Sequence, residues 1–234
     1  IYPEDIAGMI GLPYVGDVYY VDPYAGNDNQ GGGTQKEALK TVAAAYAKCT
    51  SGKHDVVIIA PTGGTGRTTE TSAIVWAKRF THLIGSCAPT QTAPRAGMTF
   101  SSAVVSPMFT VSENGCIFKN ITMSCSSDID VMMLVTGDYN YFEGCHIQGT
   151  TNATAGADTP WRAIVMDGAN ENLFVGCTIG HDTAVRSGVN ISLEQTGVCA
   201  ENIYRGCLFV IYSDDGLENI VKKVNNDAAR GIVI

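Results

Sequence analysis

Three asparagine–cysteine pairs recur at one spacing in this chain: Asn140 with Cys145, Asn172 with Cys177, and Asn202 with Cys207. Thiolates and imidazoles are zinc ligands, nucleophiles and bases, so such pairs invite a reading as a site. The chain holds no Cys-x-x-Cys pair, however, and the histidines do not keep step with the cysteines; His146 and His181 stand 35 residues apart. Either histidine could act as ligand or base, and a place in a surface turn explains them as well. Hydrolysis by a carboxylate pair needs two acids facing each other across a groove, about 5–9.5 Å apart. Asp128, Asp130, Asp167 and Asp182 are acids without a pairing signal, and turn chemistry accounts for them. Asp22, Asn27 and Asp28 offer oxygens to a Ca2+ ion. The EF-hand spacing is absent, and Asx turns explain the same residue types. Thr62-Gly63-Gly64-Thr65-Gly66 is glycine-rich enough to cradle phosphate. No Lys-Ser or Lys-Thr follows it, and Arg67 is not placed like a P-loop lysine, so a turn is expected there.

The elements that carry these residues form a repeat. Asn140-Tyr141-Phe142-Glu143-Gly144-Cys145, Asn172-Leu173-Phe174-Val175-Gly176-Cys177 and Asn202-Ile203-Tyr204-Arg205-Gly206-Cys207 are copies of one phrase. Cys116-Ile117-Phe118-Lys119-Asn120-Ile121 is a looser one. The aromatic advances by 24, 32 and 30 residues, from 118 to 142, 174 and 204. A period of about 20–50 residues marks a stacked repeat architecture. Each phrase alternates like a strand, and a second strand-like run precedes each: Met108–Val111, Met132–Val135, Ala163–Met166 and Val189–Leu193. No segment of helical period fits between them. The predicted fold is therefore all-β, a parallel β-helix in which successive coils bury one continuous core.

Stacking assigns roles to the phrase. Phe118, Phe142, Phe174 and Tyr204 are expected to form an aromatic file inside, one strand spacing of about 4.8 Å apart. Cys145, Cys177 and Cys207 form a second internal file, small apolar thiols suiting a tight corner. Asn140, Asn172 and Asn202 sit at a bend, their amides bonding above and below. Such regularity serves a scaffold; function is expected where the phrase breaks.

Composition narrows the classes. The net charge of −8 argues against binding nucleic acid through its phosphates. No apolar run is long enough to span a membrane. With 45% hydrophobic residues, 234 residues suffice for one core. Cysteines repeating in register at a core position are read as reduced thiols of a reducing compartment.

Residues 1–16 are expected to be an extended arm, and Ile6, Met9, Ile10 and Leu12 on it to dock on a partner. Residues 17–234 form a single β-helix domain. Thr34 is expected to start an amphipathic helix over about 35–48 that caps the open end of the core, with coils over about 55–234. Residues 86–105 and 149–160 read as loops leaving the barrel. The apolar run at Gly231–Ile234 is expected to be covered by a partner or to continue in a longer chain.

The stretch Tyr20-Val21-Asp22-Pro23, Gly26-Asn27-Asp28, Gly33-Thr34, Leu39-Lys40-Thr41-Val42 and Ala45, followed by Val56–Ile59 and Thr81-His82-Leu83-Ile84-Gly85, resembles the opening of right-handed parallel β-helix proteins of the pectin-lyase-like superfamily. The Asn-x-Phe-x-Gly-Cys coils resemble β-helix virion structural proteins of tailed bacteriophages. The resemblance implies a right-handed solenoid; it is weak for activity, because one fold carries many functions. Pectate lyases use clustered Asp on calcium with an Arg base, and Arg162, Arg186 and Arg205 have no carboxylate cluster in register. The polygalacturonase set is also unmatched: Asp214-Asp215 and Gly180-His181-Asp182 come in the wrong order and the remaining motifs are missing.

Two readings follow. One is a non-enzymatic virion structural protein, a capsid-decorating or tail-associated part assembled in the bacterial cytoplasm. Its partners would be other virion proteins such as the major capsid protein, and a homo-oligomer, a trimer, is expected. No cofactor is expected beyond the Ca2+ considered above. The alternative is a carbohydrate-active protein, a polysaccharide lyase or hydrolase or a tailspike-like receptor binder, with Trp76 and Trp161 as candidate sugar platforms.

Overall fold

The computed structural model describes residues 3–101, 106–152, 161–186, 190–213 and 220–224. After β1 (Val18–Val21), strands follow in groups of three. The groups are β2–β4 (Val56–Ile59, Arg67–Glu70, Ile74–Trp76), β5–β7 (His82–Gly85, Gly97–Phe100, Phe109–Val111) and β8–β10 (Ile117–Lys119, Thr122–Cys125, Val131–Val135). They continue as β11–β13 (Tyr141–Glu143, His146–Thr150, Arg162–Asp167), β14–β16 (Leu173–Val175, Thr178–Arg186, Ile191–Thr196) and β17–β19 (Ile203–Arg205, Leu208–Ser213, Val221–Lys223). The first members of the groups join β1 in one parallel sheet, the second members form another, and the third members form a third. This is a right-handed parallel β-helix, and each group is one coil.

The register explains the core. Val57, Leu83, Phe118, Phe142, Phe174 and Tyr204 are matched from coil to coil in sheet 1 and point inward. The rings of Phe118, Phe142, Phe174 and Tyr204 stack at 4.9, 4.3 and 4.9 Å, within 16° of parallel. Trp76 and Trp161 are fully buried in the same core, so neither is a sugar platform. Trp76 stacks on Tyr46 at 4.0 Å and donates its Nε1–H to the Thr81 carbonyl.

The capping helix is shorter than its periodicity suggests. Gln35–Glu37 is a single 3-10 turn, and Thr34 makes no side-chain cap bond. Leu39 pairs in parallel with Val21, which pulls the chain into the sheet and breaks the helix there. The α-helix proper, α2, is Val42–Lys48, capped by the Thr41 hydroxyl, which accepts from the Ala44 N–H. Its buried Val42, Ala45 and Tyr46 close the first coil.

The N-terminal segment also differs from the extended arm. Pro3–Ile10 is a helix, here α1. Ile6 is buried against Tyr20, Val56, Ile58 and Ile84 on the outer face of sheet 1, with Ile10 packed beside it. Burying an isoleucine is worth about 1.5–3 kcal/mol. Ile6 and Ile10 thus dock on the chain's own solenoid rather than on a partner; Met9 stays exposed and Leu12 half-exposed. Residues 225–234, including Gly231–Ile234, lie outside the described residues.

Candidate functional site

The repeated turns consume their own polar groups. The Asn140 side-chain oxygen accepts the Cys116 N–H, that of Asn172 accepts the Asn140 N–H, and that of Asn202 accepts the Asn172 N–H, at 2.8, 2.9 and 3.0 Å. The bonds thus run mainly from amide oxygen to the backbone of the preceding coil. Among the described residues only Asn172 also donates its amide to the next Asn side chain, Asn202, at 3.1 Å. A parallel column had no sequence signal. Asn114, Asp138 and Asn170 accept the N–H of Asp138, Asn170 and Ala200 in turn. Between the columns runs a third, of left-handed residues: His54, Phe80, Gly115, Tyr139, Glu171 and Glu201, all with φ between 54° and 70°. On the other side of sheet 1, Asn120 stands where later coils carry Gly144, Gly176 and Gly206, with φ of 56° beside 59°, 57° and 62°. Asn tolerates that conformation better than most residues, so the looser phrase keeps the turn.

The cysteine file is chemically quiet. Cys145 and Cys177 are buried, Cys207 is half-buried, and all eight cysteines are free. Hydrogen bonding with the Cys145 thiol, together with burial, holds Cys177 well above the ordinary thiol range. Cys207 is raised in the same way by Cys177. A protonated, enclosed thiol is a poor nucleophile and a poor ligand.

His146 and His181 are internal rather than in surface turns. His146 Nδ1 accepts the Ala93 N–H at 2.9 Å while Nε2 lies 3.1 Å from the Gly180 carbonyl, which makes Nε2 the protonated nitrogen. His181 is buried on β15. His82 accepts the Ile117 N–H at Nδ1 and faces His54 Nδ1 through Nε2 at 3.2 Å. Burial, with the neighbouring His54, pushes His82 down to about 3.

Residues 86–96 do not leave the barrel. They lie along the outer face of sheet 2: the Gln91 amide reaches the Gly206 carbonyl, and Thr178 donates to the Gln91 carbonyl. This strap covers Thr178 and His146 completely. Residues 97–100 then enter sheet 2 as β6. Of the 149–160 loop, Gly149 and Thr150 belong to β12, and 153–160 lie outside the described residues.

The candidate acids do not converge. Asp128, Asp130 and Asp167 are exposed, and among the described residues no three of His, Cys, Asp and Glu gather as a metal site. The side chains of Asp182 and Arg186, and residues Asp214 and Asp215, lie outside the described residues. Arg162 pairs with Glu194 at 2.8 Å. The calcium candidates are engaged by the backbone. Asp22 accepts from Tyr24 N, Ala25 N and the Thr62 hydroxyl; Asn27 accepts from Asn29 N; Asp28 accepts from Lys40 N, Thr41 N and the Thr41 hydroxyl. Those bonds lower the Asp22 carboxyl, although burial works against them. The residues therefore have turn-holding duties that explain them without an ion. Among the described residues no helix is long and apolar enough to cross a membrane.

No protein-family model and no curated protein matches the chain. A solved structure does. The crystal structure of pectate lyase Pel9A superposes with a TM-score of 0.59 at 17% identity, over 94% of this chain and 58% of that one. At that identity the likeness is one of fold. The chain spans 58% of the length of the lyase it matches.

Proposed function

We propose that this chain is a non-enzymatic structural β-helix, a capsid-decorating or tail-associated component of a tailed-bacteriophage virion. One observation carries the reading: the amides, carboxylates and thiols repeated along the solenoid bond the protein's own backbone and one another. That is work for a scaffold, whereas a catalytic group must keep an atom for substrate. A further support is the outer face of sheet 1 beyond α1. Ile117, Tyr141, Leu173 and Ile203 are matched in register there and only half-buried, an apolar row suited to contact with another virion protein such as the major capsid protein. Symmetric assembly, as a trimer, fits such a part. Free thiols fit assembly in a reducing cytoplasm.

The alternative, a carbohydrate-active β-helix, is favoured by the likeness to a pectate lyase fold. The two readings separate cleanly. Immunogold labelling and mass spectrometry of purified particles should find this chain at fixed copy number on the virion. Release of unsaturated or reducing ends from acidic polysaccharides by the pure chain, without particle association, would reverse the assignment.

A further inference from the structure

β1 is the edge strand of sheet 1 and pairs with β2 on one side. The carbonyls of Asp17 and Val21 accept the N–H groups of Val56 and Ala60, so the odd-numbered residues of this stretch face β2. Residues 18, 20 and 22 face the other way. Tyr20 is answered there: its N–H donates to the Gly32 carbonyl at 2.7 Å, and its carbonyl accepts the Leu39 N–H at 2.9 Å. The Asp22 N–H donates to the Leu39 carbonyl at 2.8 Å. Val18 is not answered. Among the described residues neither its N–H nor its C=O has a hydrogen-bond partner. Unpaired backbone groups on a sheet edge are a template for another strand.

This free part of the edge opens on a cavity of about 550 Å³, lined by Gly16–Tyr20, Gly31, Gly33 and Glu37. Two of the lining glycines have no duty in the protein's own fold. Gly31 and Gly33 lack the positive φ that calls for glycine. A Cβ on Gly33 would meet nothing within 4 Å, and one on Gly31 would meet only Glu37 Oε2, at an ordinary 3.7 Å. Bare glycine walls suit the close approach of a second backbone. The charged side chains that line the cavity, Asp17 and Glu37, are both exposed carboxylates.

We propose that the Val18 edge and its glycine-walled cavity receive an extended, lysine- or arginine-bearing segment of a partner protein, which adds to β1 as a further strand. The segment's main chain bonds the Val18 N–H and C=O, which supplies affinity, and its cations meet Asp17 and Glu37, which selects a basic partner over an acidic one. This docking edge does not depend on the virion reading.

Fluorescence anisotropy of a labelled, capped peptide of alternating lysine and valine, titrated with the full chain, should show saturable binding. The same peptide N-methylated at every residue keeps its charges but loses its donors, and should bind at least tenfold more weakly. Val18→Pro removes the outward N–H without costing a bond to β2 and should also weaken binding at least tenfold, with unchanged circular dichroism as the check on its fold. The N-methylated peptide tests the same bonds even if that variant fails to fold. Asp17→Asn combined with Glu37→Gln should weaken binding several-fold, while Glu201→Gln, at an exposed acid of the last repeated phrase, leaves it unchanged. Absence of saturation, undiminished binding of the N-methylated peptide, or equal binding of a glutamate–valine peptide would each overturn the proposal. So would concentration-dependent self-association that Val18→Pro abolishes, which would give the edge to a second copy of this chain.

Discussion

Glu70 and Lys78 hold the two ends of one helix. The Glu70 carboxylate accepts the Val42 and Ala43 N–H groups at 2.8 and 3.3 Å. The Lys78 ammonium donates to the carbonyls of Tyr46, Ala47 and Cys49 at 2.8, 2.9 and 2.7 Å, and lies over the Tyr46 ring. Seven residues of helix are too few to be stable alone. The solenoid's first coil therefore supplies both caps, with charges that oppose the helix dipole.

Glu70→Ala should destabilise the chain by about 2 kcal/mol, the combined loss of a cap and of satisfied buried N–H groups. Urea unfolding of the variant checks this. Lys78→Met, which keeps the stem over Tyr46, should lose about 1–2 kcal/mol through the bonds alone.

Phe142 lies between two rings at 4.9 and 4.3 Å and is buried. Phe142→Ala should cost about 3–5 kcal/mol through the cavity left in a file that cannot collapse along the axis. Phe142→Leu should cost about 1–2 kcal/mol. Equilibrium denaturation would show both.

The asparagine column is uneven, and mutation should reveal it. Asn172 accepts from Asn140 N and donates to the carbonyls of Gly137 and Asn170 and to Asn202. The buried Asn140 amide nitrogen finds no partner among the described residues. Asn172→Ala should therefore cost about 2–3 kcal/mol, and Asn140→Ala measurably less, about 1 kcal/mol. Equal losses would contradict the bonding described.

His82 gives acid sensitivity of a defined sign. Its folded-state pKa of about 3 lies below the unfolded value near 6.5. Between those values the unfolded chain takes up a proton that the folded chain refuses. Stability from His82 is thus complete above about pH 6.5 and is lost as the pH falls towards 3, by up to about 4 kcal/mol. His82→Gln should flatten that part of the profile; denaturation midpoints at pH 7, 5 and 4 for both proteins measure it.

The aromatic positions and the turn glycines could be placed from the chain because they carry residue-type signals at a period. The left-handed column could not. His54, Phe80, Tyr139, Glu171 and Glu201 share no chemistry, and their conformation is imposed by the coils they connect. The same holds for the Asn114–Asp138–Asn170 column, where an Asp interrupts the Asn pattern. The strap over sheet 2 was illegible for a different reason: the Gln91–Gly206 bond spans 115 residues and repeats nowhere.

Sequence alone determined the solenoid, because a period of apolar, aromatic and glycine positions can be satisfied only by coils stacked in register. It also determined the aromatic column, since equal steps along the chain become equal heights in the stack. Tertiary structure decided what each polar group does. Which N–H groups Asp28 accepts from, or whether Ile6 packs on its own sheet, depends on which atoms lie close after folding. Those neighbours come from other coils, at separations that local pattern does not encode.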